Sequence, residues 1–157
     1  MGLRILHTAD WHLDSPLRSL PEEAAASVRA SLDRLPRLIA EVCRREACDM
    51  MLLAGDIFDN PQPARGTVET LKSALAQCGV PVFISPGNHD YCSSDSPWLT
   101  EHWPKNVHIF TGSLSYADVE ALNCRVYGAG YKSMDCQGLL EGFRAEGNAR
   151  WCVGVLH

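Results

Sequence analysis

Leu3-Arg4-Ile5-Leu6-His7-Thr8-Ala9-Asp10-Trp11-His12 sets a pattern that the rest of the chain repeats. Leu3 to Thr8 is a short, mostly apolar run with the look of a buried strand, and polar Asp10-Trp11-His12 follows it directly. Met50 to Ala54 is a second apolar run, closed by Gly55-Asp56-Ile57-Phe58-Asp59. Val80 to Ser85 is a third, followed by Gly87-Asn88-His89-Asp90. Trp151 to Leu156 is the last, followed by His157.

The intervals between these runs have helical period. Glu22 to Glu46 places Val28, Leu32, Leu35, Leu38, Ile39 and Val42 on one stripe, with Pro36 expected to bend or break it. Arg65 to Cys78 places Val68, Leu71 and Leu75 on one face, with Gly79 as its stop. Strand, helix, strand, helix, strand implies parallel strands with crossover helices. The second half changes character. Val107 to Phe110, Leu114 to Val119 and Arg125 to Tyr127 read as short β segments, and Leu139 to Ala145 as a short helix. The expected architecture is α/β, with two sheets packed face to face and helices outside.

At 157 residues, with 46% apolar and 21% charged residues, the chain suits one globular domain, and that domain is taken to span 1–157. No apolar run approaches the length of a membrane span. The N-terminal stretch lacks a signal-peptide core and cleavage site, and Leu at position 6 rules out a myristoylation motif at Gly2. Seven cysteines, an odd number with no Cys-x-x-Cys, fit reduced thiols and a cytoplasmic location. A net charge of −5 argues against a broad nucleic-acid-binding face, but not against a carboxylate site neutralised by cations.

Ligands bind beyond the carboxyl ends of strands in open α/β sheets, and all four polar clusters occupy that place. Asp, His and Asn without thiolate suit Mn²⁺, Fe or Zn²⁺. On an extended strand exit, Asp10 and His12 would share one side and grip one ion. Asp56 would sit centrally and bridge two ions, with Asn88 and His157 serving the second. Two cations about 3.5–4 Å apart would clamp a phosphate and activate a water for in-line attack. His89 would stay off the metals as general acid or charge stabiliser, with Asp59 holding its imidazole. Gly55 and Gly87 would supply backbone angles closed to other residues.

The ordered set Asp10/His12, Gly55/Asp56/Asp59, Gly87 to Asp90 and His157 resembles the signature of calcineurin-like metallophosphoesterases. Ile5 to Pro16 (ILHTADWHLDSP) and Ala54 to Phe58 (AGDIF) are similar to DNA-repair exonucleases of the SbcD/YhaO type. The resemblance implies an αββα sandwich, with Asp10, His12, Asp56, Asn88 and His157 as metal ligands. It further implies His89 as the catalytic histidine with Asp59 as partner, two divalent ions (Mn²⁺ foremost), DNA as substrate, and an SbcC-like coiled-coil ATPase as partner. By analogy, the Glu22 to Glu46 helix would serve a homodimer. The signature's final Gly-His-x-His does not occur before His157. The expectation is a fragment missing at least one sheet strand, with weaker metal binding and little or no nuclease activity as it stands.

Blander readings compete. Asp10 and Asp56 suit helix caps or turns, Asp59 precedes Asn60-Pro61 and suits a turn, and His157 has no confirming motif. His7 is expected to be a packed core histidine, Asp14 a turn residue, His102 and His108 surface or loop residues, and Trp98, Trp103 and Tyr91 packing aromatics. Gly128 to Ser133 lacks the spacing of a phosphate loop. Besides a DNA nuclease, the residues admit a phosphoesterase of the same fold acting on small esters or cyclic nucleotides, or a non-enzymatic scaffold with an incomplete site.

Overall fold

The computed structural model describes residues 2–157. Four strands, β1 (Ile5–Thr8), β2 (Met50–Leu53), β3 (Val82–Ile84) and β4 (Val107–Ile109), form one parallel sheet in the order β1-β2-β3-β4. The helices α1 (Glu22–Arg45), α2 (Arg65–Gln77) and the short α3 (Pro97–Thr100) lie in the crossovers. Because the strand order never reverses, right-handed crossovers place the helices on one face. The other face is left for a second sheet of β5 (Ser115–Val119), β6 (Cys124–Gly128) and β7 (Trp151–Val155). There β5 and β6 form a hairpin, and β7 joins β6 in parallel.

Burial on both faces explains why β2 reads as unbroken hydrophobic sequence. Met51 and Leu53 face the helix-side core with Leu71, Leu75 and Cys43, whereas Met50 and Leu52 face the core between the sheets. Phe83 takes the inter-sheet side of β3, and Val82 and Ile84 the helix side. Phe110 is the main plug between the sheets. It stacks on Phe83 at a centroid distance of 6.3 Å, and its ring fills the space a side chain at Gly128 would need. The Ser85 hydroxyl donates to the Ala129 carbonyl, a further tie between the sheets.

Several expectations are corrected here. Pro36 sits inside α1 without ending it, because its ring is buried and tertiary packing sustains the helix. Val107 to Ile109 joins the parallel sheet instead of the hairpin region. Residues 139–142 form turns and 143–145 are irregular, not a helix. Positive φ at Gly138 and Gly142 breaks the helical path, and Tyr127 holds the segment by edge contact with Phe143 and by hydroxyl bonding at Glu146. His7 is exposed, not in the core, because β1 is an edge strand with one neighbour. Asp14 lies in a turn, as expected, and in addition accepts from Ala64 N at 2.7 Å, so its carboxylate caps the start of α2 from a distant loop. Trp98 is buried against Phe58 and Trp103, as expected of a packing aromatic.

All seven cysteines are free thiols. Burial pushes Cys43 and Cys92 up to about 12, so both stay protonated and inert. Among the described residues, no helix is long and apolar enough to cross a membrane.

Phe110→Ala should cost roughly 3–5 kcal/mol of unfolding free energy, because it empties the joint between the sheets. Urea denaturation checks this, and a loss below about 1 kcal/mol would mean that the sheets are held together elsewhere.

Candidate metal centre

The loops after β1 and β2 run side by side. Asp10 N–H donates to the Gly55 carbonyl at 3.0 Å, His12 N–H to Asp56 at 2.9 Å, and Leu13 N–H to Ile57 at 2.9 Å. The exit from β1 is not extended as expected. Asp10, His12 and Asp14 have φ of 56°, 47° and 69°, so left-handed residues alternate along it. Asp56 is left-handed as well, at φ 51°. Each such residue costs on the order of 1–3 kcal/mol, and strain of this kind gathers at functional sites. The twist still brings ligand atoms of Asp10, His12 and Asp56 within 4.8 Å of one another.

Asp56 lies at the centre and is 4% exposed. Its Oδ1 accepts the backbone N–H of His89 at 2.9 Å. Its Oδ2 is 3.8 Å from His12 Nε2 and 3.3 Å from His157 Nε2. His157 Nε2 is also 3.0 Å from Asn88 Oδ1. Asp10, His12, Asp56, Asn88 and His157 thus meet at one rim.

Fixed acceptors set the tautomers of three imidazoles. Carboxylate and carbonyl oxygens only accept, so the ring nitrogen facing them carries the proton. His157 Nδ1 faces the Ala54 carbonyl at 2.9 Å, His12 Nδ1 the Asp59 carboxylate at 3.1 Å, and His89 Nδ1 the Asp59 carbonyl at 3.3 Å. In each neutral ring Nε2 therefore keeps its lone pair. The lone pair of His157 then faces two acceptor oxygens, a repulsive grouping that a cation at its centre relieves. The donor set fits divalent metal.

Asp59 differs from expectation in one respect. Its carboxylate meets His12, while His89 receives only its backbone carbonyl. His12, Asp59 and His89 form a second compact group, with the rings of His12 and His89 edge to face at 4.9 Å.

Gly55 has the expected positive φ, 82°, and a Cβ there would lie 2.6 Å from His157 Nδ1. Gly87 is needed for space and not for its backbone angle: a Cβ would overlap Asp56 Oδ1 and lie 2.7 Å from Asp56 N.

Asp90 is the residue whose role the sequence did not show. Fully buried, its carboxylate accepts four backbone N–H groups: Gly87 at 2.6 Å, Ile57 at 2.9 Å, and Asp56 and Phe58 at 3.2 Å. Its own carbonyl accepts from the Trp98 indole at 2.6 Å. Burial, with a smaller push from the Asp56 charge, raises the carboxyl to about 6, against the Gly87, Phe58 and Ile57 donors, which favour the charged form. An acid directly after Gly-Asn-His was the available signal, but nothing in the sequence reveals which N–H groups it meets.

A parallel sheet with a second sheet on its back, and a rim of Asp, His and Asn ligands, defines the metallophosphoesterase class of enzyme. A family profile described as calcineurin-like phosphoesterase matches residues 3–148, and the chain belongs to that family, which uses divalent metal ions. It is 32% identical to the uncharacterized metallophosphoesterase YhaO of Bacillus subtilis over 169 aligned positions, covering 99% of this chain and 40% of that protein. It is 37% identical to the SbcD component of the nuclease SbcCD of Rhodobacter capsulatus over 93 positions, covering 56% of this chain and 22% of that protein. The chain therefore spans well under half the length of these relatives.

Asp90→Asn should lower stability by roughly 2–4 kcal/mol, since an amide NH₂ would oppose two backbone donors. Urea unfolding reads the loss. Wild-type stability in this variant would show that Asp90 is not the clamp between the loops.

Proposed function

We propose that the chain is part of a metal-dependent phosphodiester hydrolase that acts on DNA, a nuclease of a DNA-repair system. The observation that carries this reading is Asp56 Oδ2, set between the Nε2 atoms of His12 and His157. Asp10 and His12 would hold one divalent cation, Asn88 and His157 a second, with Asp56 placed to serve both. The similarity to the SbcD component of SbcCD supports DNA as substrate and a coiled-coil ATPase of the SbcC kind as partner. Mn²⁺ suits the mixed oxygen and imidazole set, as Fe and Zn²⁺ do. Seven free thiols support a cytoplasmic setting.

When bound, the cations would polarise the phosphate and favour deprotonation of the attacking water. The protein's own groups do the rest. The Asp59 carboxylate holds His12 so that its Nε2 lone pair faces the site, the arrangement by which second partners orient metal-bound histidines. The Asp59 carbonyl accepts from His89 Nδ1–H, so a transferable proton on Nε2 requires the imidazolium form of the ring. As the deprotonated water oxygen bonds to phosphorus and the P–O ester bond breaks, the His89 imidazolium gives its Nε2 proton to the departing oxygen; the proton lost by the water passes to solvent, from which the imidazole is recharged. Asp56 Oδ1 anchors the His89 backbone, so the proton donor and the ligands move as one unit.

In the full-length chain, His89→Ala should leave Mn²⁺ binding intact by calorimetry while cleavage of linear duplex DNA falls by about 10²–10⁴. Undiminished cleavage would remove His89 from the mechanism. Asp56→Asn should weaken both cation sites together, whereas Asp10→Asn should weaken one; equal titrations of the two variants would contradict a shared Asp56. Hydrolysis of bis-nitrophenyl phosphate with no action on DNA would move the assignment to small esters.

A further inference from the structure

A groove leaves the rim on the side of β7. Its inner part, about 450 Å³, is walled by His157 and Tyr131, whose rings meet edge to face at 5.8 Å. Its outer part, about 460 Å³, shares Cys136, Gly138, Leu139 and Glu141 with the inner part and continues to Gly112, Ser113 and Lys132. The two cavities thus share one wall, and Tyr131, beside His157 in the inner one, is followed directly by Lys132 in the outer one.

The loop geometry places that lysine. Gly130 N–H donates to the Gly112 carbonyl at 2.9 Å, and a Cβ at Gly130 would overlap the Phe110 carbonyl. A Cβ at Gly112 would lie 3.1 Å from Lys132 Cε, so the lysine stem lies across a glycine floor. Tyr131 is docked to the catalytic loop on both sides, through its N–H to Pro86 at 3.1 Å and its carbonyl from Cys92 at 2.8 Å. Lys132 Nζ has one polar neighbour, Ser113 Oγ at 3.5 Å, and no carboxylate of the described residues lies within ion-pair reach of it. Glu141, the acid lining the same groove, is folded against Gly138. In a chain of net charge −5, an ammonium without a carboxylate partner, in a cavity next to the ion ligands, suits an anion.

We propose that this groove is a subsite for a second phosphate of the substrate, recognised by Lys132 with Ser113 while the scissile phosphate sits against the ion ligands. This rests on the phosphodiesterase reading and narrows it: the preferred ligands carry at least two separated phosphate groups, as a nucleic-acid strand or a terminally phosphorylated oligonucleotide does. Simple monoesters and isolated diesters reach only the ion site.

The test separates the subsite from its parent reading. Calorimetry on the full-length His89→Ala protein with Mn²⁺ would compare a thymidine dinucleotide holding one internal diester, its 5′- and 3′-phosphorylated forms, and the trinucleotide. At least one added phosphate should tighten binding roughly tenfold, the worth of one charge-assisted contact. Lys132→Ala should abolish that gain and leave the plain dinucleotide unchanged, and Lys132→Arg should retain it. A gain confined to the phosphorylated forms identifies a terminal phosphate; a gain in the trinucleotide identifies the neighbouring diester. No gain for any added phosphate, or equal weakening of every ligand by Lys132→Ala, overturns the subsite. Cleavage of the same ligands by the protein with His89 intact reports on the hydrolase reading alone. A Lys132-dependent gain without cleavage keeps the subsite and defeats the hydrolase, whereas cleavage without a gain does the reverse.

Discussion

Four backbone N–H groups from two separate loops end on the carboxylate of Asp90. Three belong to Asp56, Ile57 and Phe58, and one to Gly87. The loops after β2 and β3 are thereby held as one body. Asp56 returns the contact by accepting from His89 N–H, which closes the pair of loops around the rim. Buried polar groups left without partners are costly, so this arrangement is close to all-or-none. The positions of Asp56, Asn88 and His89 all follow from it.

A second constraint acts on the imidazoles. Rings free to rotate would present either nitrogen to the site. Here Ala54 and Asp59 fix Nδ1 of His157, His12 and His89 from behind. The cost of ordering those side chains is met in folding, and the Nε2 lone pairs of His12 and His157 stand ready where positive charge is to be held. The left-handed residues Asp10, His12 and Asp56 show backbone strain concentrated at the same place. The rigid sheets, with their two apolar cores, hold that strain in position.

Much of this was legible in the sequence because strand burial and polar strand ends leave strong local marks. The runs at Met50 to Leu53 and Val82 to Ile84 could only be strands buried on both faces, and the Asp and His residues after them could only lie at one rim. Long-range contacts leave weaker marks. Whether the Asp59 carboxylate meets His12 or His89 depends on a loop path set by left-handed backbone at Asp10 and His12, which residue type alone does not show. Asp14 is the turn residue its type suggests, but its partner at the start of α2 lies 50 residues away in sequence, beyond local reading. Gly87 is required by the volume of Asp56, a tertiary fact hidden from local reading. The segment 139–145 carries apolar residues at near-helical spacing, yet its glycines adopt left-handed angles and the path becomes a chain of turns.

The most direct measurement is anomalous scattering from crystals of the protein soaked in Mn²⁺. Two peaks should appear, one touching Asp10 and His12, the other Asn88 and His157, with Asp56 between them. Peaks elsewhere on the surface, with these five side chains unliganded, would contradict the account.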